Sequence, residues 1–137
     1  MRYVVTVSRS PGLLLLRFGL GALIIAFSAW PDLSAGTERW TEIGQSLSVF
    51  GVKSYADLWG LGVVCTEMTS AVCLVLGLFT RLSAFCLALI MAASTAISAT
   101  PESVVQALQG TIVFLGLALT GAGRFSLDQK IAEGQSL

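Results

Sequence analysis

The chain has 137 residues, of which 55% are hydrophobic and only 12% charged, with a mean hydropathy of +0.82. Soluble domains carry about a quarter charged residues, so this composition belongs to a membrane protein of one domain spanning 1–137. Eight basic residues balance eight acidic ones and His is absent. That excludes a basic nucleic-acid surface, imidazole metal sites, His-ligated haem and Ser-His or Cys-His catalysis.

Four apolar runs follow in chain order: Leu13 to Trp30, Leu58 to Phe79, Leu82 to Ala99 and Pro101 to Ala122. Each is close to the ~20 residues a spanning helix needs. The first is expected to stop at Pro31. It carries small residues at Gly19, Ala22, Ala26 and Ala29, a ridge suited to close helix packing. Arg2, Arg9 and Arg17 with Ala26-Phe27-Ser28 also fit a signal peptide and its cleavage site. The expectation here is a retained spanning helix.

Between the first two runs lies the longest non-spanning stretch, Pro31 to Asp57. Trp40, Ile43, Leu47 and Phe50 recur there at helical spacing, with Thr37 suited to an N-cap and Gly51 to a C-cap. The pattern predicts a short amphipathic helix that lies on the membrane surface or caps the bundle. A lid over a site between the helices is the functional alternative.

The second run contains Glu67, the only acidic residue between Asp57 and Glu102. An ionisable group near the middle of a span is costly and is usually paired, protonated or functional. Thr66, Ser70 and Cys73 share one side of this helix, with Thr69 flanking. Counted from Leu58 and Pro101, Glu67 and Gln109 lie nine and eight residues deep, so the two are expected to meet at one level. Arg17 enters on the first helix from the opposite side, roughly 7 Å away along the axis. The expected buried polar centre is therefore Glu67, Arg17, Gln109 and Ser70. It fixes helix register or provides a proton-accepting or ligand-binding carboxylate; both readings stand at this point.

A tight turn over Gly77–Arg81 leads into the third run, where Ala84, Ala88, Ala92 and Ala96 stand four apart. Such a small-residue ladder suits helix packing within the bundle or between copies, and no chemistry is expected of it. Cys65, Cys73 and Cys86 form no C-x-x-C pair. They are expected to be reduced and buried, although Cys73 and Cys86 lie at matching heights on neighbouring helices. Thr100, Pro101 and Glu102 supply the cap, first position and first turn of the fourth helix.

Charge sets the orientation. With the N-terminus cytoplasmic, the inside carries Arg2, Arg9, Arg17, Arg81, Arg124 and Lys130, and the outside only Arg39 and Lys53. That follows the positive-inside rule and puts both termini in the cytoplasm and Trp30, Trp40 and Trp59 on the outer side.

The segments LLLLRFGLGALIIAFSAW, GQSLSVFGV, TEMTSAVCLVLGLFTRLSAFCLALIMA and TGAGRFSLD, in this order and spacing, resemble the DoxX family of small bacterial membrane proteins. The resemblance runs from about Leu13 to Asp128 and implies a four-helix integral protein of the inner membrane. It places the family's helix-one arginine at Arg17, its helix-two glutamate at Glu67, its turn basic residue at Arg81 and its closing motif at Gly121 to Asp128. Many members end the first helix with a His-Gly-x-x-Lys-like pattern, whereas this chain reads Phe27-Ser28-Ala29-Trp30-Pro31. The family name comes from a subunit of a thiosulfate:quinone oxidoreductase, so the resemblance implies redox-associated partners and admits a quinone as ligand. No cofactor fingerprint is present, and no metal site is expected. Two functions follow: a non-catalytic accessory or scaffold subunit of a larger membrane assembly, or a membrane subunit of a quinone-linked complex with a quinone or proton site near Glu67. With so little catalytic equipment the chain is not expected to act as an enzyme alone. Its partners are the lipid bilayer and other membrane subunits, and no nucleic acid.

Overall fold

The computed structural model describes residues 11–51 and 53–120, and among these every regular element is helical. Four helices are long and apolar enough to span a membrane. We label them α1 (Pro11–Ser34), α3 (Ala56–Leu76), α4 (Thr80–Ile97) and α5 (Pro101–Thr120), with the short α2 (Thr37–Ser46) between the first two. The chain is a multi-pass membrane protein.

The first helix does not stop at Pro31. It is α-helical over Pro11–Ile24, widens to a π-helix over Ile25–Ala29, and resumes as α-helix over Trp30–Ser34. Proline has no N–H, and its ring collides with the carbonyl four residues back. The wide turn just before it absorbs both problems. The Trp30 N–H bonds the Ile25 carbonyl, and the Ala35 N–H bonds the Pro31 carbonyl at 3.0 Å. Such π-bulges mark functional positions more often than chance.

Gly36, at φ 83°, turns the chain into α2 and caps it, in place of the expected Thr37. Two glycines then dock α2 onto α3. A Cβ on Gly44 would lie 1.7 Å from the Ala56 carbonyl oxygen, and one on Gly60 would lie 1.7 Å from the Trp40 carbonyl oxygen. The crossed pairing, 40 with 60 and 44 with 56, makes the two helices antiparallel at backbone contact. The apolar stripe predicted for α2 is only partly covered, since Phe50 remains 55% exposed. A 3-10 turn over Leu47–Phe50 ends at Gly51, the expected C-cap, at φ 87°.

Helix α3 ends in a Schellman motif. Leu78 N–H bonds the Cys73 carbonyl at 2.9 Å and Gly77 N–H bonds the Leu74 carbonyl at 3.2 Å, with Gly77 in the left-handed region. At the start of α5, Thr100 Oγ1 accepts the Ser103 N–H at 3.3 Å, so the expected cap is present.

The core lies toward the Gly77 end. Leu74, Ala84, Leu87, Ala88, Phe114 and Leu117 are buried together, with Leu13, Leu20, Ile24, Met91 and Ala118 packed around them. Ala92 and Ala96, expected in the same packing ridge as Ala84 and Ala88, are exposed. A ladder of fours drifts about 40° per step on a helix of 3.6 residues per turn, so its third and fourth members leave the buried face. The ridge on α1 shifts likewise: Gly21 and Ala29 are buried, while Ala26 is exposed. Cys73 and Cys86 are half-buried and Cys65 is exposed; all three are free.

Candidate functional site

Most hydroxyls in the spans look after themselves. Thr66 donates to the Gly62 carbonyl at 2.7 Å, Thr69 to Cys65 at 2.7 Å, Ser94 to Ile90 at 2.9 Å and Thr111 to Ala107 at 2.8 Å. Back-bonding of this kind satisfies a polar group inside its own helix. Ser28 behaves differently. Its Oγ reaches across from the π-turn of α1 and donates to Glu67 Oε1 on α3 at 2.7 Å. Glu67 itself is 4% exposed. A carboxylate this deep needs donors, and the bulge is what turns Ser28 toward it.

The Glu67–Ser28 pair forms the floor of a cleft of about 390 Å³. Its walls come from four elements: Asp32 on α1, Arg39, Glu42, Ile43 and Ser46 on α2, Val63 on α3, and Ile90, Met91, Ser94 and Ile97 on α4 with its C-cap Ser98. At the mouth, Arg39 Nε donates to Asp32 Oδ1 at 2.8 Å and Arg39 Nη1 to Glu42 Oε2 at 2.6 Å. These bonds, to Asp32 first and then Glu42, push the Arg39 guanidinium above its ordinary pKa. Trp40 Nε1 donates to the Asp32 carbonyl at 3.0 Å, fixing the end of α1 against α2.

A second, apolar groove of about 220 Å³ adjoins the cleft, lined by Ile43, Leu47, Val63, Leu89, Ile90, Ala93, Ser94 and Ile97. Five of these residues also line the polar cleft. Leu89 is 54% exposed on the side where lipid would lie. The combined space is polar at its floor and mouth and apolar along one flank.

The expected polar centre is only partly assembled. Arg17 is buried, but it lies elsewhere. Its guanidinium packs over Gly77, where an added Cβ would sit 2.9 Å from Nη2. Gly77 is ten residues along α3 from Glu67, or about 15 Å by helical rise. Helical side chains lean toward their own N-terminus, which for α1 is the Gly77 end, and counting residues from the start of each run ignored that lean. There the guanidinium meets the negative end of the α3 dipole. Gln109 is exposed, because α5 turns Ala107, Phe114 and Leu117 inward on its other side. Ser70 is buried one turn beyond Glu67 and borders a separate shallow depression with Cys65, Thr66 and Thr69.

Sequence reasoning missed Ser28, Asp32, Arg39 and Glu42. The spacing of Arg39 and Glu42, three apart on a short helix, was the available signal for the mouth. No spacing signals Ser28; it becomes visible once α1 continues through Pro31. The residues Gly121 to Asp128 and Arg2, Arg9, Arg124 and Lys130 lie outside the described ones.

A family model for DoxX matches residues 12–100. No curated protein and no solved structure gives a match. The matched stretch contains α2 to α4 and all of α1 but Pro11, and so every residue lining the cleft. With well over half of its length matched, the chain belongs to the DoxX family.

Proposed function

We propose that this protein is a membrane subunit of a quinone-linked redox assembly in the bacterial inner membrane, and that it binds a quinol-class molecule in the Glu67 cleft. The observation that supports this most directly is the joining of a buried, hydrogen-bonded carboxylate to an apolar groove beside the lipid-facing surface. A quinol has two hydroxyl donors on a ring and an apolar tail. An ionised Glu67 accepts a hydrogen bond from one hydroxyl and takes its proton as the ring gives up two electrons, while the second hydroxyl loses its proton to water in the cleft; a protonated Glu67 donates to a quinone carbonyl. Ser28 Oγ keeps the carboxylate aimed in either state. The tail follows Ile43, Leu89 and Ala93 toward the bilayer. The electron acceptor belongs to a partner subunit. The arginine bias supports an orientation with both termini cytoplasmic and the cleft outward.

The competing reading is a non-catalytic accessory or scaffold subunit. It is favoured by the exposed small and polar face of α3 at Gly62, Cys65, Thr66 and Thr69, a surface suited to another helix. Titration of decyl-ubiquinol into the protein in lipid nanodiscs, followed by tryptophan quenching, separates the two. The quinol reading requires saturable binding that weakens at least about tenfold in Glu67→Gln, a loss of ~1.4 kcal/mol. Absence of saturable binding would leave the scaffold reading.

A further inference from the structure

Along the cleft, exposure rises in one direction. Glu67 is 4% exposed, the Asp32 side chain 20%, Arg39 42% and Glu42 69%. Ser46, Ser94 and Ser98 continue the polar lining. In the other direction the helices close up, and the polar groups there, Ser70, Thr80, Ser83 and Arg17, are themselves at most 7% exposed. Leu74 and Leu87 are fully buried, and Phe114 and Leu117 are each 3% exposed. Gly21 closes the seam between α1 and α3, where a Cβ would lie 2.5 Å from Val75 Cγ2 and 3.0 Å from the Ala71 carbonyl oxygen.

We infer that Glu67 exchanges protons with water from the Trp59 end of the bundle alone, through a hydrated cleft whose mouth selects for cations. The inference deepens the quinol reading and rests on the same cleft, but it does not depend on which molecule binds there. Carboxylates and serines hold water, and the walls leave room for it. The groups facing Glu67 set the charge. From α1 comes Asp32 and from α2 come Arg39 and Glu42, while α4 and its C-cap contribute the neutral Ser94 and Ser98. Two carboxylates against one guanidinium leave the mouth net negative before Glu67 is counted. Such a funnel concentrates cations and depletes anions. A proton leaving a quinol at Glu67 therefore departs toward the Trp59 end, and none crosses the core beneath. Under the arginine-based orientation that end is the outer face, so each turnover would release protons outward.

The test is sided labelling of single cysteines. Cys65, Cys73 and Cys86 are replaced by Ala, and Ser94→Cys, Ser98→Cys and Glu67→Cys are made one at a time. Ser54→Cys, exposed before α3, reports the Trp59 end, and Arg81→Cys, exposed at the start of α4, reports the other. In membranes where a trimethylammonium thiosulfonate reaches position 54 and not 81, positions 94, 98 and 67 should be modified. A sulfonate reagent of similar size should react about threefold or more slowly. Added from the side that reaches position 81, neither reagent should modify them. If Glu67→Cys fails to fold, positions 94 and 98 carry the result. Modification from the position-81 side overturns the inference, and so do unreactive cleft cysteines beside a reactive position 54. An equal rate for the two reagents overturns the cation-selective mouth. A dry cleft that still binds quinol would leave the quinol reading standing. A hydrated cleft that binds none would end that reading and keep this inference.

Discussion

The Gly77 end and the Trp59 end of the bundle use the same helices but pack them in opposite ways. At the Gly77 end, Leu74, Leu87, Phe114 and Leu117 interlock, and the one cation there, among the described buried residues, lies flat over a glycine. At the Trp59 end, α2 is wedged between the tip of α1 and the start of α3, and the helices part around an ionisable floor. In a bilayer, apolar surface gains little from burial, since lipid is as apolar as leucine; close packing and satisfied polar groups hold helices together. The Gly77-end core and the α2–α3 glycine dock therefore set the fold. The parted end is free to carry a carboxylate that contributes little to holding it.

The sharpest way to break this contrast is at the α2–α3 dock. Gly60→Ala puts a methyl 1.7 Å from a backbone oxygen that cannot rotate away. It should cost ~3 kcal/mol, read as thermal unfolding in detergent. Gly62→Ala, two residues on and with nothing within 4 Å, should be neutral or slightly stabilising. Equal effects of the two would refute the docking geometry. Next in size is the core: Leu87→Ala should lose ~2 kcal/mol through its cavity, the low end for such truncations because the bilayer weakens the transfer contribution. Exposed Leu89→Ala should lose almost none of it. In the groove, Ala93→Phe should weaken binding of a long-tailed quinol about tenfold, ~1.4 kcal/mol, while a tail-free quinol binds as before. Equal losses for both ligands would place the tail elsewhere.

Smaller still is Ser28→Ala. Removing its bond to Glu67 should cost on the order of 0.6 kcal/mol, against nothing measurable for Thr66→Ala, whose hydroxyl serves only its own helix. The least is expected of Arg39→Gln at the solvent-exposed mouth, about 0.5 kcal/mol and less at high salt. Because pairing raises the Arg39 pKa, its share of stability is complete at neutral pH, where its carboxylate partners are ionised, and fades on the alkaline side only as pH rises through the arginine range. A loss of that share near neutral pH would contradict the pairing.

Much of this contrast was legible in the residues themselves. Hydropathy located all four spans to within a few residues, and the isolation of Glu67 among apolar neighbours marked the floor of the cleft. What failed was the offset between helices. Equal depth along separate runs brought Glu67, Arg17 and Gln109 together on paper, but depth says nothing of which face a residue takes, and Gln109 faces outward. The lean of Arg17 takes its guanidinium to about 15 Å from the Glu67 level instead of roughly 7 Å, a change of about one and a half turns. The mouth was missed for another reason. Asp32, Arg39 and Glu42 come from two elements that only Gly36, Gly44 and Gly60 bring together, and close backbone approach leaves no periodic trace.

The account stands or falls on one paired measurement: the unfolding temperature and quinol affinity of Glu67→Gln, taken on the same nanodisc preparation as the wild type. The amide still accepts the Ser28 hydroxyl, so the predicted result is an unfolding temperature close to wild type with affinity reduced at least about tenfold. A variant that unfolds well below wild type, or one that binds quinol as tightly as wild type, would contradict it.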